Sequence, residues 1–148
     1  MRGLRAAIAA AAALGAAPAE AHPRDTFCAE LQRVVEAARR DHGFAGLERS
    51  RAAPPRLGFA YGCLATGDER RQYWLCGQSF APDSLSLESL AARTAACLPE
   101  AARSDRTPWR ETLFTLPYAQ IRISEQGGPG AHVGRIVGLA VEAVIPPQ

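Results

Sequence analysis

Apolar residues recur with a helical period in two stretches of the chain and with a two-residue period in most of the rest. Over residues 26–42, Phe27, Leu31, Val34, Val35 and Ala38 fall at i, i+4, i+7, i+8 and i+11, one face of a 3.6-residue period, which predicts a helix. Asp25 or Thr26 is placed to cap its start, and Gly43 to take the left-handed stop position. Arg39, Arg40 and His42 put positive charge in its last turn, where it suits the helix dipole. Residues 44–55, ending in Pro54-Pro55, read as a connector.

Residues 56–66 then alternate. Leu57, Phe59, Tyr61, Cys63 and Ala65 share one face of an expected strand, and residues 71–80 return with Trp74, Cys76, Gln78 and Phe80 alternating. The polar run Gly67-Asp68-Glu69-Arg70 supplies the turn. A hairpin that sets Cys63 opposite Cys76 also sets Ala65 opposite Trp74 and Phe59 opposite Phe80, so one register aligns the large apolar residues.

A second helix is predicted over 86–98. There Leu87, Leu90, Ala91, Thr94, Cys97 and Leu98 return to helical spacing, Ser84 or Ser86 caps the start and Pro99 ends it. Residues 99–110 are polar and read as a connector. Strand-like segments follow at 112–116, 119–124 and 133–145, with Pro117 limiting the continuity of the first two and Gln126-Gly127-Gly128-Pro129-Gly130 as a turn.

The order α-β-β-α-β-β-β predicts an α+β domain. Its expected form is a two-layer sandwich, with an antiparallel sheet of four to five strands, two helices on one face, and disulfide staples. The element order resembles that of small secretion-chaperone and adaptor folds in topology alone, with no shared motif.

The first 21 residues follow a different logic. Arg2 and Arg5 precede an uncharged, Ala-rich run from Ala6 to Ala17, Pro18 breaks it, and Ala19-Glu20-Ala21 offers small residues at the last and third-last positions. Positive start, short apolar run and small-residue site are the parts of a cleaved secretory signal. The run is shorter than the ~20 residues needed to span a bilayer. The expected division is therefore a signal peptide over 1–21 and a single domain over 22–148, in the periplasm or secreted beyond it, with no transmembrane anchor in the mature chain.

All four cysteines, Cys28, Cys63, Cys76 and Cys97, lie beyond that segment, separated by 34, 12 and 20 residues. An even count in an exported chain predicts two disulfides, while the absence of any C-x-x-C pair argues against a zinc cage or a thioredoxin-type site. Cys63 and Cys76 share a strand face, and Cys28 and Cys97 lie on or beside the apolar stripes of the helices. Directly opposed strand residues hold their Cβ atoms ~4.5–5.5 Å apart, wider than the ~3.8 Å of a disulfide, so helix-to-strand bridges are the expected pairing.

Composition changes this picture little. The chain has 148 residues, 17 Arg, no Lys and 15 acids, for a net charge of +2; beyond Ala21 it holds 15 Arg against 14 acids. That balance fits neither a nucleic-acid binder nor an acidic tail. No Ser-His-Asp order, paired-carboxylate motif, H-E-x-x-H or nucleotide fingerprint is present, and the glycine turn at 126–130 is flanked by extended segments where a phosphate loop needs a following helix.

Two features carry candidate chemistry. His22, as a new N-terminus, would offer an amine and an imidazole together, a copper chelate for which His42 and His132 are available as further ligands. Arg70 and Arg71, beside Tyr73 and Trp74, and Arg103, Arg106, Trp109 and Arg110 form two Arg-aromatic clusters of the kind enriched at protein interfaces. The leading expectation is a small exported, non-enzymatic binding or adaptor protein without a cofactor, whose partner is an envelope or secreted protein. The alternatives are a periplasmic copper protein using His22 and a hydrolase with an unfamiliar site.

Overall fold

The structure is a computed structural model that describes residues 26–49, 52–127 and 134–145. The expected signal segment over 1–21 lies outside the described residues. In chain order the elements are α1 (Phe27–Asp41), α2 (Ala45–Arg49), β1 (Gly62–Gly67), β2 (Gln72–Gln78), α3 (Leu87–Cys97), β3 (Ala102–Arg106), a 3-10 turn (Thr107–Trp109), β4 (Glu111–Leu116), β5 (Ala119–Gln126) and β6 (Ile136–Ala143). The strands form one antiparallel sheet in the order β1-β2-β6-β5-β4-β3. The fold is thus α+β, with six strands where four to five were expected and three helices where two were expected.

The extra elements come from the two stretches read as connectors. α2 is five residues long with no buried side chain, so it has no apolar stripe to announce it. β3 is exposed at all five positions and exists through its pairing with β4, in which Arg103 lies opposite Phe114 with its guanidinium 5.9 Å from the ring centre. A strand whose sequence is Ala-Arg-Ser-Asp-Arg shows no alternation of apolar and polar residues.

α1 and α3 form where the helical period placed them. Phe27, Leu31, Val34, Val35 and Ala38 of α1 are buried, as are Leu90, Ala91, Thr94 and Cys97 of α3. Ser86 caps α3 in a reciprocal box with Ser89, each side chain accepting from the other's backbone N–H. Thr26 makes no side-chain cap on α1, and the left-handed stop falls on His42 (φ 50°) rather than on Gly43. The helices' buried residues join those of one strand parity, among them Trp74, Cys76, Phe114, Ile121, Ile123, Leu139 and Val141, in a single hydrophobic cluster. α1 contacts β5 and β6, and α3 contacts β4 and β5.

The β1–β2 register sets Cys63 opposite Cys76 and Ala65 opposite Trp74, as the alternation predicts. The expected Phe59–Phe80 pair does not form. β1 begins only at Gly62, because Leu57 and Gly58 take left-handed φ values of 47° and 44° and turn the chain out of the strand. Both backbone N–H groups entering that turn, of Arg56 and Leu57, donate to Glu30 Oε2 on α1, at 2.6 and 2.8 Å. Phe59 is buried against Phe27, ring centres 6.4 Å apart, while Phe80 is 74% exposed. β4 and β5 turn back on each other through Pro117 and Tyr118, so Leu116 pairs with Ala119.

The four cysteines form two disulfides, Cys28–Cys97 and Cys63–Cys76, and among the described residues none is free. The helix-to-strand pairing is therefore corrected: one bridge joins α1 to α3 and the other joins β1 to β2. The Cys63 and Cys76 Cα atoms are 4.2 Å apart, near the ~4.5 Å of the narrower of the two spacings that alternate along an antiparallel pair. The expectation did not distinguish the two spacings, and at the narrower one the opposed side chains stand closer. The remaining two cysteines meet because α1 and α3 pack side by side, bringing their Cα atoms to 5.1 Å.

Candidate functional site

The strand parity opposite the main hydrophobic cluster carries the most distinctive surface. In register across β1, β2, β6 and β5 run Leu64, Leu75, Ala140 and Arg122, and beside them Thr66, Tyr73, Glu142 and Gln120. Leu64 is 53% and Leu75 38% exposed, on a sheet face whose outward positions are ordinarily polar. Leu75, Ala140 and Arg122 of the first row and all four residues of the second line a shallow depression of about 460 Å3, together with Gly67 and Arg71. The Tyr73 hydroxyl donates to Glu142 Oε1 at 3.3 Å, and Arg71 Nε lies 3.9 Å from the same oxygen. Tyr73 first, then Glu142, push the Arg71 guanidinium up from its ordinary value.

A third row continues the same face with almost no side chains: Gly62, Gly77 and Gly138 stand opposite one another, followed by Ser124. None of the three glycines has a left-handed φ, and a Cβ added to any of them meets nothing nearer than 3.6 Å. The fold therefore does not require glycine at these positions. Their effect is to leave bare backbone beside the Leu64–Leu75–Ala140 row.

The two Arg-aromatic clusters do not come together. Arg70 and Arg71 sit in the β1–β2 turn, where their backbone N–H groups donate to Asp68 Oδ1 at 2.8 and 2.9 Å, and Arg71 borders the depression. Arg103, Arg106, Trp109 and Arg110 belong to β3 and the turn after it, at the opposite edge of the sheet. Five inter-strand steps separate β1 from β3, about 24 Å at ~4.8 Å each. Two members of the second cluster are engaged in the fold. Arg103 pairs with Asp105 at 3.0 Å, and Arg110 donates to Glu125 at 2.7 Å. Trp109 is 74% exposed, and Arg106 is exposed too.

Glu125 is a buried carboxylate with three partners from separate segments, and nothing in the sequence signalled it. It is only 4% exposed. Oε2 accepts from the Leu87 N–H at the start of α3 (2.9 Å), while Oε1 accepts from Arg110 (2.7 Å) and Arg135 (3.4 Å). Arg135 in turn donates to the carbonyls of Ala81 and Pro82. Burial pushes the Glu125 carboxyl up, but the Leu87 N–H and the two guanidiniums together outweigh it and hold it below the ordinary carboxylate range. This constellation ties α3, β5, the 3-10 turn and the entry to β6; both its arginines are committed to holding the carboxylate.

His42 ends α1 at the edge of a depression that also includes Asp41 and Glu69. His22 and His132 lie outside the described residues. Among the described residues no three His, Cys, Asp or Glu side chains gather as a metal cage. The face that sequence reasoning missed had one visible signal: Leu64, Leu75 and Ala140 are apolar on the parity that an outward strand face ordinarily makes polar. No protein-family model, curated protein or solved structure matches this chain.

Proposed function

We propose that this chain is a small exported binding or adaptor protein that acts through the sheet face bearing Leu64, Leu75, Tyr73 and Ala140. In this reading α1 and α3 form one layer over the opposite sheet face. The observation that carries the reading is the pair of exposed leucines, Leu64 and Leu75, in one row with the half-buried Ala140, beside a glycine row and bordered by Arg71, Arg122 and Glu142. Contiguous apolar surface of this kind, rimmed by polar groups, is characteristic of interaction sites. The mixed charge of the rim suits a protein partner of the envelope or beyond it better than a polyanion.

The variant Leu75→Asp tests the assignment. It places a carboxylate in the centre of the row at a position 38% exposed. The expected outcome is a change in folding stability within about 0.5 kcal/mol, as for a surface substitution, together with loss of capture of the partner from the native envelope fraction. Capture equal to that of the unaltered protein removes this face from the function.

Export supports the same reading. Two disulfides fit an oxidising compartment, and among the described residues no helix is long and apolar enough to cross a membrane. We propose cleavage after Ala21, giving a mature chain that begins at His22 and resides in the periplasm or outside the cell. The intact mass of protein recovered from the native envelope is expected to match residues 22–148 with both disulfides formed; a mass retaining the Ala-rich run contradicts it.

A further inference from the structure

We infer that two copies of this chain pair through β3, edge to edge, to make one continuous sheet across a two-fold axis. This goes beyond the binding face proposed above and rests on different residues.

The two edges of the sheet are unlike. At β1, the outer edge is blocked, because the Ala65 N–H donates to Glu48 Oε1 of α2 at 3.0 Å. β3 has β4 on one side, and all five of its residues are exposed. Among the described residues no helix has a substantial packing contact with it. An uncovered edge offers a row of backbone donors and acceptors to another strand. Charges on an edge strand ordinarily deter such pairing, so the arrangement of charge on β3 decides whether a second copy is repelled or accepted.

That arrangement is self-complementary. A two-fold axis normal to the sheet keeps every side chain on its own face, so residues of equal parity must stand opposite each other. The register that overlaps all of Ala102–Arg106 is centred on Ser104. It sets Arg103 opposite the partner's Asp105 and Asp105 opposite the partner's Arg103. Within one chain Arg103 Nε already lies 3.0 Å from Asp105 Oδ1, and Thr112 Oγ1 holds the same oxygen at 2.8 Å. Pairing therefore closes an alternating square of four charges whose acidic corners are already positioned. Sliding the register to the next allowed position either way sets Arg103 against Arg103 or Asp105 against Asp105. Opposed unlike charges stabilise a strand pair and opposed like charges destabilise it, so the same two residues select one register and disfavour its neighbours.

The test is a charge swap read by light scattering and sedimentation on the oxidised protein. The unaltered protein is expected to show a concentration-dependent doubling of mass. Arg103→Asp alone and Asp105→Arg alone are each expected to stay monomeric, since each puts like charges face to face. An equimolar mixture of the two is expected to recover the doubled mass, as is the double variant carrying both substitutions. Recovery on mixing is an outcome that misfolding of either variant cannot produce. A monomeric mass for the unaltered protein at about 1 mM, the weak end of specific association, overturns the inference. So does dimerisation of either single variant equal to that of the unaltered protein, or a mixture no larger than its components.

Discussion

Removing the Cys28–Cys97 bridge, as Cys28→Ala with Cys97→Ala, is expected to cost about 4 kcal/mol of stability. Removing Cys63–Cys76 in the same way is expected to cost about 3 kcal/mol. Both figures follow from the chain entropy that a cross-link takes from the unfolded state, for loops closed across 69 and 13 residues. The native contacts point the same way. Cys28–Cys97 joins two helices that share no backbone ladder. Cys63 and Cys76 join strands already held by a six-residue ladder. Denaturant unfolding of the two double variants beside the oxidised parent measures both numbers. A larger loss for the hairpin bridge than for the helix bridge contradicts this assignment of roles.

Glu125→Ala is expected to cost about 3 kcal/mol, the lower end of the ~3–5 kcal/mol for breaking a buried ion pair, since the Arg110 side chain is 57% exposed and rehydrates in part. The loss comes from the Leu87 N–H, left without its acceptor, and from the Arg135 guanidinium, which keeps the Ala81 and Pro82 carbonyls but loses its buried counter-ion. Glu125→Gln is expected to cost less, because its amide oxygen still accepts from Leu87. The pH dependence follows from the direction of the shift. The folded carboxyl titrates below its unfolded value, so its contribution is full above the ordinary glutamate range near ~4.3 and is lost as pH falls through the lower folded value. The stability gap between the parent and Glu125→Gln should therefore be widest near neutrality and close as the parent is acidified. A gap that is constant from neutral to acidic pH would show that the charge of Glu125 contributes nothing.

The parts of this fold legible in the sequence were those with a strong apolar period. The stripes of α1 and α3 and the alternation around Cys63 and Trp74 placed two helices and one hairpin, including its register. What was missed had no such period. β3 presents Arg103, Ser104 and Asp105 to solvent and is a strand because β4 lies beside it. The left-handed turn at Leu57 depends on Glu30, 27 residues earlier, an interaction that no local pattern carries. Phe59 and Phe80 show the cost of extending an alternation past its end: one is buried against Phe27 and the other stands in solvent. The Arg-aromatic clusters were visible as composition, but their positions at opposite edges follow from β6 entering the sheet between β2 and β5. Glu125 was unreadable for a similar reason, since Leu87, Arg110 and Arg135 reach it from three separate segments.

The proposed site was half visible. Leu64 stood on the outward parity of its expected strand, but its neighbours Leu75 and Ala140 become neighbours only through the β1-β2-β6 order. That order makes three isolated apolar residues into a row, and three isolated glycines into another.

The measurement that tests the central claim most directly is site-specific photocrosslinking in the native envelope, with the photoreactive residue placed in turn at Leu64, at Leu75 and at Gln32, an exposed position on α1. The account predicts one adduct of the same mass from Leu64 and Leu75, lost when Ala140→Glu is added, and no such adduct from Gln32. An adduct from Gln32 with none from Leu64 or Leu75 would place the binding surface on the helices and contradict it.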